Sequence, residues 1–357
     1  MNRYAITALI VVFYIFLLLE VSVRQSFLFI VGLGMGATLA AARFGFTTGW
    51  RNLIEKRDPS GVAGQVLLLG LAALIAIPLI ATYTELSAAL GPPSISLIVG
   101  AFIFGLTMQI ADGCGSGTLY KAGLGIPMNM AILPLFAIGS FLGSVHLHHW
   151  LSLGQTQPVG LIEEFGASQA LLLTLAGLAV ILVVVRLWVG PNRHWFDHKW
   201  IWGGVLLAAL ATLNLVIAGQ PWGIVYGFGL WAAKVAQATS LFDPASNPFW
   251  GQAGHGERLA ESLFLDVTSI TNIGILAGAL WVSTKTQPSS KPMTTQQWVI
   301  VLIAGFVMGY SSRLAFGCNI GAMLSGVSTG SLHGWLWIAL AFAGTMLGVR
   351  IRRHYRI

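Results

Sequence analysis

GLTMQIADGCGSG, residues 105–117, and GYSSRLAFGCNIG, residues 309–321, align without a gap and agree at five of thirteen positions. Both follow the frame G-x7-G-C-x-x-G, and between them they hold the two cysteines of the protein, Cys114 and Cys318. Glycine matches alone carry little weight in a chain with 43 glycines. The paired cysteines make the two stretches an internal repeat. Each lies in an apolar run, and a glycine-rich break weakens a helix there and lets the backbone bend.

Working outward, the composition sets the class. Of 357 residues, 56% are hydrophobic and 9% carry a charge, with a mean hydropathy of +0.78. A soluble domain has about a quarter of its residues charged, so this chain cannot cover a water-facing surface of its size. Apolar runs fall near 4–23, 26–42, 62–86, 94–113, 127–148, 168–189, 201–218, 262–284, 294–316 and 333–349. A span needs about 20 apolar residues, so the expectation is an all-α polytopic membrane protein with about ten crossings. The shorter segments 44–57, 114–124, 223–241 and 318–330 do not span on their own and read as half-helices or re-entrant pieces. The run 4–23 lacks a small-x-small cleavage site and reads as a retained first helix.

Loop charge orients the spans. Arg51, Lys56, Arg57, Arg186, Arg193, Lys199, Lys285, Lys291 and the arginines of 350–356 alternate with acidic loops at 149–167 and 242–261. Basic loops belong in the cytoplasm, which predicts both termini inside. The first copy of the repeat then runs outside to inside and the second inside to outside. The predicted organisation is one membrane domain over 1–357, with an extra N-terminal span at 1–25, a first repeat at 26–189 and an inverted second repeat at 201–349. Inverted repeats with interrupted helices mark a transporter site near the bilayer midplane.

The chemistry follows from the break. A half-helix beginning there points free N–H groups and a partial positive charge into the cavity. Two of them facing each other would hold an anion without a metal, and a thiol at each adds a soft, polarisable group. The candidate substrate-binding residues are therefore Cys114, Cys318, Gly113, Gly115, Gly117, Gly317, Asn319 and Gly321, with sulfur- or selenium-containing anions as the class. The bland alternative is that both cysteines are small buried residues at tight helix crossings.

Arg313 lies one turn before Cys318, with Gln109 in the equivalent place before Cys114. A charge at a span centre costs about 2.5–3.5 kcal/mol on insertion scales, so Arg313 either attracts an anion or forms a salt bridge, with Asp112 as the candidate partner. His146, His148 and His149 read as an interfacial polar cap rather than a metal site. No zinc motif, nucleophile elbow or phosphate loop is present, and no basic patch has nucleic-acid character. No metal, cofactor or catalytic residue is expected. A thiol oxidoreductase using Cys114 and Cys318 as a redox pair, and a structural membrane subunit, are the rival classes.

The stretches ADGCGSGTLYKAG (111–123), RFGFTTGWRN (43–52) and RLAFGCNIGAMLSG (313–326) resemble the YeeE/YedE family of bacterial inner-membrane proteins. The resemblance covers nearly the whole chain from about residue 26. It implies a pseudo-two-fold inverted repeat around a central constriction. It also implies sulfur transport, with thiosulfate uptake proteins among the members, and cysteines that pass the anion along by S–H···S hydrogen bonds. Cys114 and Cys318 match two of those cysteines. A third thiol, common in thiosulfate members, is replaced here by Gly45. Some relatives are associated with selenium metabolism, and small cytoplasmic sulfur-carrier proteins are the implied partners.

Overall fold

The computed structural model describes residues 3–284 and 292–357. The basic pair Lys285 and Lys291, used above for orientation, lies outside the described residues. The elements in chain order are α1 (Arg3–Phe16), α2 (Val23–Ala42), α3 (Phe46–Lys56), α4 (Ser60–Thr82), α5 (Ile95–Ile110), α6 (Gly115–Gly123), α7 (Pro127–Ser152) and α8 (Leu161–Phe165). They continue with α9 (Ala167–Val189), α10 (His198–Ala218), α11 (Val225–Ala238), α12 (Ala253–Ala260), α13 (Val267–Ser283), α14 (Thr295–Leu314), α15 (Ser325–Ser328) and α16 (Leu332–Tyr355). Two π-helical turns, Leu17–Val21 and Asn319–Leu324, follow α1 and the second break.

Among the described residues, nine helical stretches are long and apolar enough to cross a bilayer. The tenth apolar run is α13, of 17 residues. At 1.5 Å per residue it is about 25 Å long, slightly short of a hydrocarbon core of about 30 Å. The protein is an all-α polytopic membrane protein. Its four short segments are helices of their own: α3, α6, α11, and the π turn with α15.

Helix starts follow local chemistry. Ser94 and Thr294 cap α5 and α14, the latter through a reciprocal capping box with Gln297. Asp266 caps α13 by accepting from the Ser269 amide at 2.7 Å.

Glycine sets the packing. In α2, a Cβ on Gly32 or Gly36 would strike the backbone of Thr271 or Ile275 in α13. Gly105 and Gly344 close the α5–α16 contact in the same way, and Gly139 and Gly309 close α7–α14. Gly64 and Gly204 bring α4 against α10. In each pair the contacts advance in the same direction along both helices, so the partners run parallel. Lipid provides no hydrophobic drive between helices, so close backbone approach supplies the association. Apolar side chains such as Leu172, Val180, Val183 and Leu187 point outward.

One face gathers the basic residues. Arg57 donates to Trp188 O at the end of α9. Arg353 reaches Glu55 at 3.4 Å, joining the ends of α16 and α3. Arg3 lies 3.9 Å from the Trp281 ring centroid near the end of α13. Gln297, at the start of α14, donates to Tyr355 O and Arg356 O.

Candidate functional site

The two breaks fold alike. In the first, Asp112 takes a left-handed conformation (φ 51°), Gly113 follows, and Cys114 is the extended N-cap of α6. In the second, Phe316 is left-handed (φ 58°), Gly317 follows at φ 148°, and Cys318 is the extended N-cap of the π turn. The Gly113 amide donates to Met108 O at 3.0 Å and the Gly317 amide to Ser312 O at 2.8 Å. These bonds satisfy carbonyls that the interrupted helices would leave bare in lipid. The glycines are there for space. A Cβ on Gly113 would lie 2.9 Å from the Thr118 nitrogen, and one on Gly317 2.6 Å from the Ala322 nitrogen.

The tertiary fold brings the breaks together. A Cβ on Gly115 would stand 3.1 Å from Cys318 Sγ and 3.4 Å from Ile224 Cγ2. Cys114 Sγ lies 3.4 Å from Ser116 Oγ, and the Ile320 amide donates to Cys318 Sγ at 3.4 Å. Both cysteines are buried free thiols. Beside them, Asn319 is fully buried and neither polar atom of its amide group has a hydrogen-bond partner among the described residues. A Cβ at Gly117 would lie 3.6 Å from Cys114 Sγ, ordinary contact, and one at Gly321 meets only Phe316 O at 3.9 Å. Of the expected site residues, Gly113, Cys114, Gly115, Gly117, Gly317, Cys318, Asn319 and Gly321 therefore belong to the two facing breaks.

Arg313 departs from expectation in its partner. Asp112 is taken by Arg51 at 2.7 Å, Lys121 at 2.7 Å and Arg352 at 3.3 Å. The Arg313–Asp112 salt bridge does not form. Instead the Arg313 guanidinium carbon lies 4.9 Å from the Phe249 centroid and 5.7 Å from the Tyr226 centroid. The reason is topological. Asp112 faces the basic ends of α3 and α16, while the last turn of α14 faces α11 and the loop before α12. Gln109, at the equivalent place in the first break, donates to Thr47 O at 3.2 Å.

Gly45 is the N-cap of α3, in an extended conformation at φ −120°. A Cβ there would lie 3.1 Å from Thr48 Oγ1 and 3.7 Å from the Tyr120 hydroxyl. Gly45 thus sits beside α6, the half-helix that Cys114 caps. His146 and Trp150 converge on the Tyr310 hydroxyl at 3.2 and 3.0 Å.

Sequence reasoning missed Ile224, Tyr226, Phe249 and the triple cation shell of Asp112. Local sequence carries little signal for them, because all but Lys121, nine residues from Asp112, meet their partners far along the chain.

A bundle of spanning helices interrupted at two facing glycine breaks is the build of a membrane transporter. Comparison with known proteins agrees and is more specific. The Sulphur transport family matches residues 41–347, and the chain belongs to that family. It is 27% identical over 344 residues to the thiosulfate transporter TsuA of Spirochaeta thermophila, covering 91% of this chain and 98% of that protein. It is 24% identical to the thiosulfate transporter TsuA of Escherichia coli over 343 residues, 88% of this chain and 91% of that protein. The probable transporter YedE of Salmonella typhimurium is 26% identical over 175 residues, 46% of this chain and 40% of that protein. The protein is thus a multi-pass membrane transporter and not an enzyme.

Proposed function

We propose that this protein takes up a small sulfur-containing anion, thiosulfate first among candidates, through a constriction formed by Cys114 and Cys318. The observation that carries the reading is the approach of Gly115 to Cys318 Sγ, 3.1 Å from the place a Cβ would occupy. It sets the two broken helix ends face to face. Backbone N–H groups then converge on one small space from both sides, as anion recognition at helix N-termini requires. The thiols donate weak hydrogen bonds and offer soft contacts to the terminal sulfur of the anion. The unpartnered amide of Asn319 is free to hydrogen-bond the substrate.

In this reading 26–189 and 201–349 are inverted repeats and 1–25 is an added span. Reciprocal packing supports it: α5 lies on α16 as α14 lies on α7, and α2 lies on α13 as α10 lies on α4. The Ser96 hydroxyl near the start of α5 donates to Leu314 O at the end of α14 at 2.9 Å, as opposed orientations would require. The basic face is cytoplasmic by the positive-inside rule, placing both termini inside in a bacterial inner membrane. Anions enter opposite that face and leave through it, where a small sulfur-carrier protein would receive them.

The test is uptake of labelled thiosulfate by cells lacking their own importers, with and without this protein and with Cys114→Ala. Uptake that requires Cys114 supports the reading. Absence of uptake from protein shown to be in the membrane overturns thiosulfate as substrate. A second reading, a selenium compound or another sulfur species, is favoured by Gly45, which leaves the path without the third thiol common in thiosulfate members.

A further inference from the structure

The outer wall of the bundle carries a groove of about 380 Å³. It is the gap left between α9 and α10, which both pack on α4. The groove runs along α4 from Ser60 to Gly70, with Leu175 and Ala179 on the α9 side and Trp195 and Phe196 at one end, and its walls are almost wholly apolar. The stretch from Ser60 to Gly70 is about 15 Å long at 1.5 Å per residue. That is half of a hydrocarbon core of about 30 Å, so the groove has the depth of one leaflet. It also leaves α9 thinly held: five of its 23 residues are buried.

The end of the groove lies on the basic face. Ser60 follows Lys56 and Arg57, and Trp195 and Phe196 belong to the turn between α9 and α10. Two cations fix that turn by bonding backbone: Arg57 donates to Trp188 O at 2.6 Å and Arg186 to Gly190 O at 2.7 Å. Two others are uncommitted. Arg193 and Lys199 are exposed on either side of Trp195 and Phe196, and among the described residues neither side chain has a hydrogen bond or an ion pair. The carboxylates of these turns are turned to helix starts. Asp197 accepts from the Lys199 amide at 2.8 Å, and Asp58 from the Ser60 amide at 3.0 Å. Phe196 is 80% exposed, beside Trp195, as aromatic side chains are at the level of lipid head groups.

We propose that the groove between α9 and α10 holds one acyl chain of an anionic phospholipid, with its phosphate between Arg193 and Lys199. Apolar depth selects a chain, and the two unpaired cations select the head group. A zwitterionic choline lipid would bring a further positive charge against them. The lipid fills the gap and ties α9 to α10 across α4.

The experiment is native mass spectrometry of the purified full chain in detergent micelles, given equal amounts of dioleoyl phosphatidylglycerol and dioleoyl phosphatidylcholine. The first lipid bound should be phosphatidylglycerol by about thirtyfold, since two basic side chains together contribute about 2 kcal/mol toward an anionic head group and each 1.4 kcal/mol is tenfold. Arg193→Gln combined with Lys199→Gln should abolish that preference. Ala179→Phe fills the groove from an exposed position. It should lower binding of both lipids about tenfold or more, the loss for two methylenes kept out of the groove. Excess glycerophosphate, which has the phosphate but no chains, should not displace the lipid. Equal binding of the two lipids, a preference that survives loss of Arg193 and Lys199, or unchanged binding in Ala179→Phe would each overturn the proposal. So would displacement by glycerophosphate, or a dimer of the chain in place of the lipid adduct. None of these readouts involves uptake, so this site and the transport reading stand or fall separately.

Discussion

The Cys318 sulfur rests on Gly115, the residue directly after the other cysteine, so that a Cβ added to Gly115 would stand 3.1 Å from Sγ and 3.4 Å from the Cys318 Cβ. The backbone of one half-helix is thus the wall against which the thiol of the other sits.

Gly115→Ala should therefore obstruct the path proposed between the two breaks. Its methyl group must displace Cys318 or Ile224 by a few tenths of an ångström, and overpacking of this kind costs about 1–3 kcal/mol. Gly117→Ala is the control, since its Cβ would lie 3.6 Å from Cys114 Sγ in ordinary contact. Uptake per molecule in the membrane should fall strongly in the first variant and little in the second. Equal uptake in both would mean that Gly115 does not line the path.

Gly317→Ala should harm folding more than it harms the site. Its φ of 148° disfavours any side chain, and the new Cβ would lie 2.6 Å from the Ala322 nitrogen. A strained backbone position costs about 1–3 kcal/mol. The expected outcome is a lowered midpoint of thermal unfolding and less protein in the membrane. A native-like midpoint would refute the packing argument.

Cys318→Ser keeps a donor and nearly the same volume but removes the soft sulfur contact. Uptake should drop while the amount of protein in the membrane holds, as read by quantitative blot beside the uptake assay. A matched fall in both would reduce Cys318 to a packing residue.

Asp112→Asn should destabilise the basic face. Arg51, Lys121 and Arg352 all converge on this carboxylate, and Lys121 also donates to the Asp112 carbonyl. Removing one partner of a largely buried ion cluster costs on the order of 3 kcal/mol. Three like charges left without their carboxylate should lower the unfolding midpoint, and added sulfate should restore part of it. An unchanged midpoint would show that the cluster is already solvated.

The docking of α12 should weaken in acid. Burial pushes the His255 imidazole down from its ordinary value to about 4, and the Arg313 and Arg258 guanidinium groups act in the same direction. The unfolded segment therefore binds more protons than the docked one between about 6.5 and 4, and stability rises with pH across that window. Hydrogen exchange of the α12 amides should quicken as pH falls from 7 to 4.5, after correction for intrinsic rates. His255→Gln should flatten that response, and a native-like slope in the variant would exclude His255 as its source.

The spans were legible because lipid demands long apolar runs, and the runs expected at 4–23 through 333–349 each correspond to a helix. The short segments 44–57, 114–124 and 318–330 were legible as well, since an apolar stretch of 10–14 residues cannot cross; 223–241 is longer, and the structure confines its helix to Val225–Ala238. Glycine placement was half legible. Gly113 and Gly317 announce a break in one dimension, but the reason Gly115 must stay small is Cys318, two hundred residues away. Arg313 marks the same divide. Its position one turn before Cys318 singled it out, yet its expected partner Asp112 belongs to Arg51, Lys121 and Arg352 on the other side of the break.

What the sequence by itself determined is the class and the address of the chemistry: a helical membrane protein with two matched glycine-cysteine interruptions. Hydrophobic length and local backbone freedom are written in consecutive residues. What only the tertiary structure decided is which groups meet. The contact of Gly115 with Cys318, the reach of Arg51 and Arg352 to Asp112 and the aromatic enclosure of Arg313 all come from tertiary packing. That packing joins residues far apart in the chain, and no local pattern encodes it.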